Sequence, residues 1–93
     1  MIKKAVRIEP QNSSYLDSLG WVYFKLGKYD QAENFLRKAF RFNPSSVTIL
    51  EHLGDVYKKR GKDREAKAIW ERALSYTSKT EEVERIRMKL SRE

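Results

Sequence analysis

The sequence predicts an all-α fold of stacked helical hairpins, and three observations carry that prediction. The chain repeats with a period of 34 residues. Ser13–Ser46 laid on Val47–Thr80 gives the identities Leu16/Leu50, Leu19/Leu53, Gly20/Gly54, Val22/Val56, Tyr23/Tyr57, Lys25/Lys59, Gly27/Gly61, Lys28/Lys62, Ala32/Ala66 and Ala39/Ala73. A period of this length marks a solenoid of helix pairs. Within each copy apolar residues recur at helical spacing, and strand-like alternation is nowhere sustained. Glycine and Asn-Pro interruptions fall between the periodic runs, where helix ends belong.

Each element follows in order. Residues 1–12 read as a half-repeat. Shifted by one period, Pro10 meets Pro44, Ala5 meets Ala39 and Ile2 meets Leu36. This is the second helix of a hairpin whose first helix is missing, so the chain reads as a fragment of a longer protein. The first repeat, 13–46, has a helix with the stripe Leu16, Leu19, Tyr23 and Leu26, Val22 alongside, and a second with Ala32, Phe35, Leu36, Ala39 and Phe40. The second repeat, 47–80, repeats the pattern with Leu50, Leu53, Val56 and Tyr57, then Ala66, Ile69, Trp70, Ala73 and Leu74. Gly27 and Gly61 suit the left-handed residue that ends a helix. Asp63 suits an N-cap, and Asn43-Pro44-Ser45-Ser46 ends one helix and offers hydroxyl caps to the next. Ser78-Lys79-Thr80-Glu81 has the form of a capping box opening a last helix, 81–93. There Val83, Ile86 and Leu90 form a single stripe, as on a helix that closes a solenoid with a polar outer face. The whole reads as one domain, 1–93, with six helices.

Gly20 and Gly54 fall inside helices, where glycine costs about 1 kcal/mol relative to alanine. Its recurrence at one repeat position predicts a close helix approach, with Ala32 and Ala66 as the matching small surface. Ala39 and Ala73 are expected where one hairpin meets the next, and Trp70, at the position of Leu36, is expected in the core.

Composition narrows the function. The chain has no cysteine, which excludes a disulfide, a thiolate metal site and a cysteine nucleophile. No apolar run approaches the ~20 residues of a bilayer span, and the N-terminus lacks the form of a secretory signal. The compartment stays open between cytoplasm and, for an envelope parent, periplasm. The net charge of +7 raises the question of nucleic acid. Basic residues are nevertheless interleaved with Glu and Asp as on solvated helix faces, without a binding motif.

Catalytic and metal chemistry find no support in the motifs. His52 is the one histidine, and no His–Glu spacing around it forms a metal set. A contact between His52 and its helix neighbours Glu51 and Asp55 is expected instead. The four glycines, at 20, 27, 54 and 61, are scattered and form no phosphate loop. No elbow or oxyanion hole surrounds any serine. The chain reads as non-catalytic and without a cofactor.

Leu16-x2-Leu19-Gly20-x2-Tyr23, Ala32, Leu36, Ala39 and Pro44, repeated as Leu50-x2-Leu53-Gly54-x2-Tyr57, Ala66, Trp70 and Ala73, resemble the tetratricopeptide repeat (TPR). Leu16 and Leu50 replace the family's usual Trp, and Ser78 its usual Pro. The phrasing Leu-Gly-Trp and His-Leu-Gly-Asp is also similar to bacterial repeat proteins. The resemblance implies a right-handed superhelix with a concave groove, lined mostly by the first helix of each hairpin, that binds peptides or partner proteins. The groove candidates it implies are Ser14, Asp17, Ser18, Trp21, Phe24 and Lys25 in the first repeat, and Thr48, Glu51, His52, Asp55, Lys58 and Lys59 in the second.

Family members that grip a C-terminal carboxylate place Lys and Asn on this wall. Here Asp17, Trp21, Glu51 and Asp55 stand there, which argues against that ligand and suits one carrying Arg or Lys. Trp21 and Phe24 lie off the core stripe, where they serve either as anchors for a partner or as packing against Val6 or Ile8. The leading expectation is therefore a protein-interaction module. The alternatives are polyanion binding through Arg37, Lys38, Arg41, Lys67 and Arg72 on the second helices, and a purely structural scaffold segment. The half-repeat's Ile2 and Val6 would expose apolar atoms, so pairing into a homodimer at that end is also expected.

Overall fold

A computed structural model describes residues 12–91. The half-repeat helix expected near the N-terminus, its packing through Val6 or Ile8 and the dimer surface at Ile2 and Val6 lie outside the described residues. Among the described residues the fold is five helices and no strand: α1 (Ser13–Lys25), α2 (Tyr29–Phe42), α3 (Val47–Lys59), α4 (Asp63–Leu74) and α5 (Thr80–Ser91). It is a helical-repeat solenoid.

The helix ends follow local chemistry. Asn12 caps α1 by accepting the Tyr15 N–H at 3.1 Å, and Ser46 caps α3 by accepting the Ile49 N–H at 3.3 Å. Gly27 and Gly61 turn the chain between hairpin arms at φ 81° and 79°. Two ends differ from expectation. Asp63 makes no cap bond; Lys62 holds the cap position and Asp63 lies in the first turn of α4, where the helix dipole favours a carboxylate. At α5 the organising hydroxyl belongs to Thr77 rather than Ser78: it donates to the Glu82 carboxylate and accepts the Lys79 N–H.

The core forms in layers that cross hairpin boundaries. Leu16 and Ala39 pack with Ile49 of the next hairpin. Ala32 and Leu36 pack with Leu53 and Val56. Leu50, Ala66, Trp70 and Ala73 pack with Ile86 of α5. Phe40 touches all three groups and joins them into one core. Helix α3 contributes to every layer, because α2 covers one side of it and α4 another. Ile49, absent from the expected stripe, is buried for that reason.

The close approach at the helical glycines involves a large side chain as well as the alanine contact expected. A methyl on Gly20 would meet the Leu36 side chain, with Cγ at 2.6 Å, and the Ala32 carbonyl oxygen at 3.2 Å. A methyl on Gly54 would run into the Trp70 indole. The glycine therefore admits the large residue at the Leu36/Trp70 position, and at Gly20 the Ala32 backbone also comes near. Val22 and Leu26, expected on the core stripe of α1, are 54% and 63% exposed. Their repeat partners differ: Val56 is covered by α2, whereas no described element covers that side of α1.

Candidate functional site

The first-helix face, built by α1, α3 and α5, carries most of the predicted site residues. Four residues from α1, α2 and α3 assemble into an aromatic platform. Trp21 stacks on Phe24 at 4.7 Å and on His52 at 4.0 Å between ring centroids, and Tyr29 tilts against Phe24 at 5.5 Å. His52 Nδ1 lies 2.8 Å from Asp17 Oδ1, which fixes the imidazole over the indole. Lys25 Nζ lies 5.2 Å from the Trp21 ring centre, a cation–π contact. The histidine contact expected with Glu51 and Asp55 is thus replaced, at hydrogen-bond range, by one with Asp17 on the preceding hairpin. Asp17 and His52 stand 35 residues apart, one period plus one.

The carboxylates of α3 are not free. Glu51 is only 6% exposed. Arg85 donates to both its oxygens, at 2.6 and 2.8 Å, and Lys89 adds a bond at 2.8 Å. Lys89 also donates to both oxygens of Asp55, at 2.9 and 3.0 Å. Burial alone would raise the Glu51 carboxyl, but the Arg85 and Lys89 bonds outweigh it and hold it below its ordinary value. At Asp55 burial wins over the Lys89 bond, and the carboxyl sits above its ordinary value. This corrects the expectation that Glu51 and Asp55 stand as open carboxylates on the groove wall.

Between platform and carboxylates lies a cleft of about 270 Å³ lined by Phe24, Asp55, Lys58, Lys59, Trp70 and Lys89. Trp70 is otherwise a core residue, 3% exposed, with its indole N–H donating to the Glu51 carbonyl at 3.3 Å. Ser14, Ser18 and Thr48 are exposed and do not line this cleft. Sequence reasoning missed Arg85 and Lys89. The signal was available, since they stand one period after Glu51 and Asp55, so one first helix presents acids where the next presents bases. It also missed Glu33, which is 4% exposed on α2. Arg60 donates to it at 2.8 Å, Lys62 at 3.2 and 3.3 Å, and Arg37 at 3.4 Å. Burial would raise this carboxyl too, but the Lys62 and Arg60 bonds hold it below its ordinary value.

Among the described residues no three His, Cys, Asp or Glu side chains converge as a metal site would require. No described helix is long and apolar enough to cross a membrane.

Comparison with known proteins bears on the family and the fold. A family model described as TPR repeat matches residues 20–61, and two described as tetratricopeptide repeat match residues 1–34 and 46–80. No curated protein sequence matches the chain. Among solved structures the chain is similar to the crystal structure of YrrB, described as a TPR protein with an unusual peptide-binding site. The TM-score is 0.74 at 20% identity, over 96% of this chain and 48% of that one. The chain thus spans about half the length of that structure, and at this identity the likeness concerns the fold.

Proposed function

The chain belongs to the tetratricopeptide repeat family, and from that premise we propose that it is a non-catalytic module that binds a peptide segment of a partner protein on the face of α1, α3 and α5. That TPR chains serve as protein-interaction modules holds for the family at large. The observation that carries the finer reading is the aromatic platform of Trp21, Phe24 and His52 beside an open, largely apolar cleft. Part-exposed aromatics next to a pocket are the side chains from which binding energy most often comes. The ligand would set an apolar side chain in the cleft, against Phe24 and the edge of Trp70, and lie across the Trp21 indole.

The ligand's flanking charges follow from which side chains at the cleft are already paired. With Glu51 and Asp55 taken by Arg85 and Lys89, and Lys58 paired with Asp63 at 3.4 Å, the charge that the cleft offers outward comes chiefly from Lys59. Acidic neighbours on the ligand fit this rim better than the Arg or Lys that the sequence suggested.

The test is selection of peptides from a random library on the immobilised chain, then titration of a selected peptide against Trp21→Ala. Affinity should fall at least tenfold, with the helical circular dichroism unchanged, since removal of a buried aromatic anchor costs ~2 kcal/mol or more. A folded variant that binds as the parent does would remove the platform from the site.

A further inference from the structure

The opposite face, built by the second helices, carries a second cleft that the groove reading does not use. It encloses about 290 Å³ between α2 and α4 and is lined by Arg37, Phe40, Arg41, Leu53, Tyr57 and Ile69. Its lining divides by chemistry. Leu53 is buried, and Phe40, Tyr57 and Ile69 are half-buried, so the interior is apolar and aromatic. Arg37 and Arg41 stand one helical turn apart on α2, both exposed, and place two guanidinium groups on one side of it. A third, Arg72, packs on the Phe40 ring at 5.5 Å.

The acid beside Arg37 is already engaged. Glu33 takes a bond from Arg60 at 2.8 Å and from Lys62 at 3.2 Å, and its contact with Arg37 is the longest of the set at 3.4 Å. Arg41 forms no ion pair among the described residues. Over the apolar floor Arg41 is thus left without a counter-ion among the described residues, while Arg37 shares Glu33 with two other cations; Glu33 and Glu65 are the acids felt at Tyr57.

The geometry points to this cleft as a second peptide-binding site, for an acidic segment that buries one aromatic side chain between Phe40, Tyr57 and Ile69 and pairs its flanking carboxylates with Arg37 and Arg41. The apolar floor asks for a side chain, and planar guanidinium groups take carboxylates in bidentate pairs. A bare polyanion would satisfy the arginines and leave the floor in water. The occupant is therefore an acidic-aromatic peptide and not a generic polyanion. The site is independent of the first-helix face: its residues come from α2, the far side of α3 and α4, and none belongs to the Trp21 platform.

The experiment titrates the full chain with an acetylated, amidated heptapeptide holding one central Phe between Asp residues, followed by NMR. Expected are saturable shifts at Leu53, Tyr57 and Ile69. Affinity should fall at least tenfold for Arg41→Glu, remain for Trp21→Ala, and drop when the central Phe of the peptide becomes Ala. Arg41→Gln, which removes the charge without reversing it, should weaken binding to a lesser degree. Four results would overturn the site: shifts confined to Trp21 and His52, equal binding of the Ala peptide or of polyglutamate, indifference to Arg41→Glu, or no saturation. Loss of groove ligands in Trp21→Ala bears on the other face alone, so the two readings fail separately.

Discussion

At the scale of the residue, the four glycines hold two different jobs, and substitution separates them. At Gly61 a methyl would meet nothing within 4 Å, so alanine there is opposed only by the backbone, held at φ 79°. Gly61→Ala should cost about 1 kcal/mol. At Gly54 the backbone is helical and alanine is intrinsically better, yet the added methyl would overlap the Trp70 indole, whose Cε2 would lie 2.9 Å away. That ring is rigid and tied to the Glu51 carbonyl. Overpacking of a filled core costs about 1–3 kcal/mol, which outweighs the helix gain. Thermal melts should show both variants destabilised, and Trp70→Leu should rescue neither, because Leu36 crowds the same position at Gly20, with its Cγ 2.6 Å from an added methyl. The recurrence of glycine was readable from the 34-residue shift. What it admits was not, because Leu36 and Trp70 lie on a different helix and only packing selects which residue faces which.

At the scale of the element, α5 shows how a repeat position changes role. Its register copies that of α1 and α3: Asp17, Glu51 and Arg85 are successive occupants of one position, and Trp21, Asp55 and Lys89 of the next turn. Acid on α3 and base on α5 then meet across adjacent helices and fasten α5 to the stack, alongside Ile86, which is fully buried. Removing the bases would leave Glu51 buried and uncompensated. Arg85→Ala with Lys89→Ala should cost about 2–3 kcal/mol; this lies below the range for a fully buried pair because Arg85 is itself half in water. Hydrogen exchange should accelerate first in the α5 amides, with α2 and α3 protected. Exchange unchanged in α5 would mean that Ile86 and its neighbours hold the helix alone. The same logic explains why α1 matched its expected stripe poorly. Periodicity marks which face is apolar, but Val22 and Leu26 need a neighbour to be buried, and no described element supplies one there.

For the whole molecule, stability should follow the protonation of its buried acids. The Glu33 and Glu51 carboxyls are held below their ordinary 4.5 in the folded chain. A depressed carboxyl stabilises the fold at pH above its unfolded value, and that contribution is lost as pH falls through the folded one. Asp55 runs the other way: its carboxyl is raised, so its protonation comes first and removes a burial cost. The melting temperature should therefore hold from neutrality down and fall below pH 4.5, where both glutamates gain protons. Glu33→Gln with Glu51→Gln should melt lower at neutral pH and flatten the acid limb. An acid limb as steep in that variant as in the parent would assign acid sensitivity to other groups. Both glutamates join successive hairpins, one through the α3–α4 turn and the other through α5, so the loss should be cooperative across the described chain.

The fold class was legible in the amino-acid sequence because it rests on local, periodic physics. Helix faces, turn glycines and a repeat length of 34 residues read the same in any copy, and they identified the helix pairs, the core position of Trp70 and the family resemblance. They also marked Trp21, Phe24 and His52 as residues outside the common pattern. Only the tertiary structure decided which charges are available to a ligand. Glu51 lies 34 residues from Arg85, a pairing the repeat register hints at but does not establish, and Glu33 lies 27 from Arg60, off the period, so that pairing is not visible until hairpins stack. Stacking turned a predicted acidic wall into a set of internal ion pairs, because a carboxylate leaving water must take its counter-charge from within the chain.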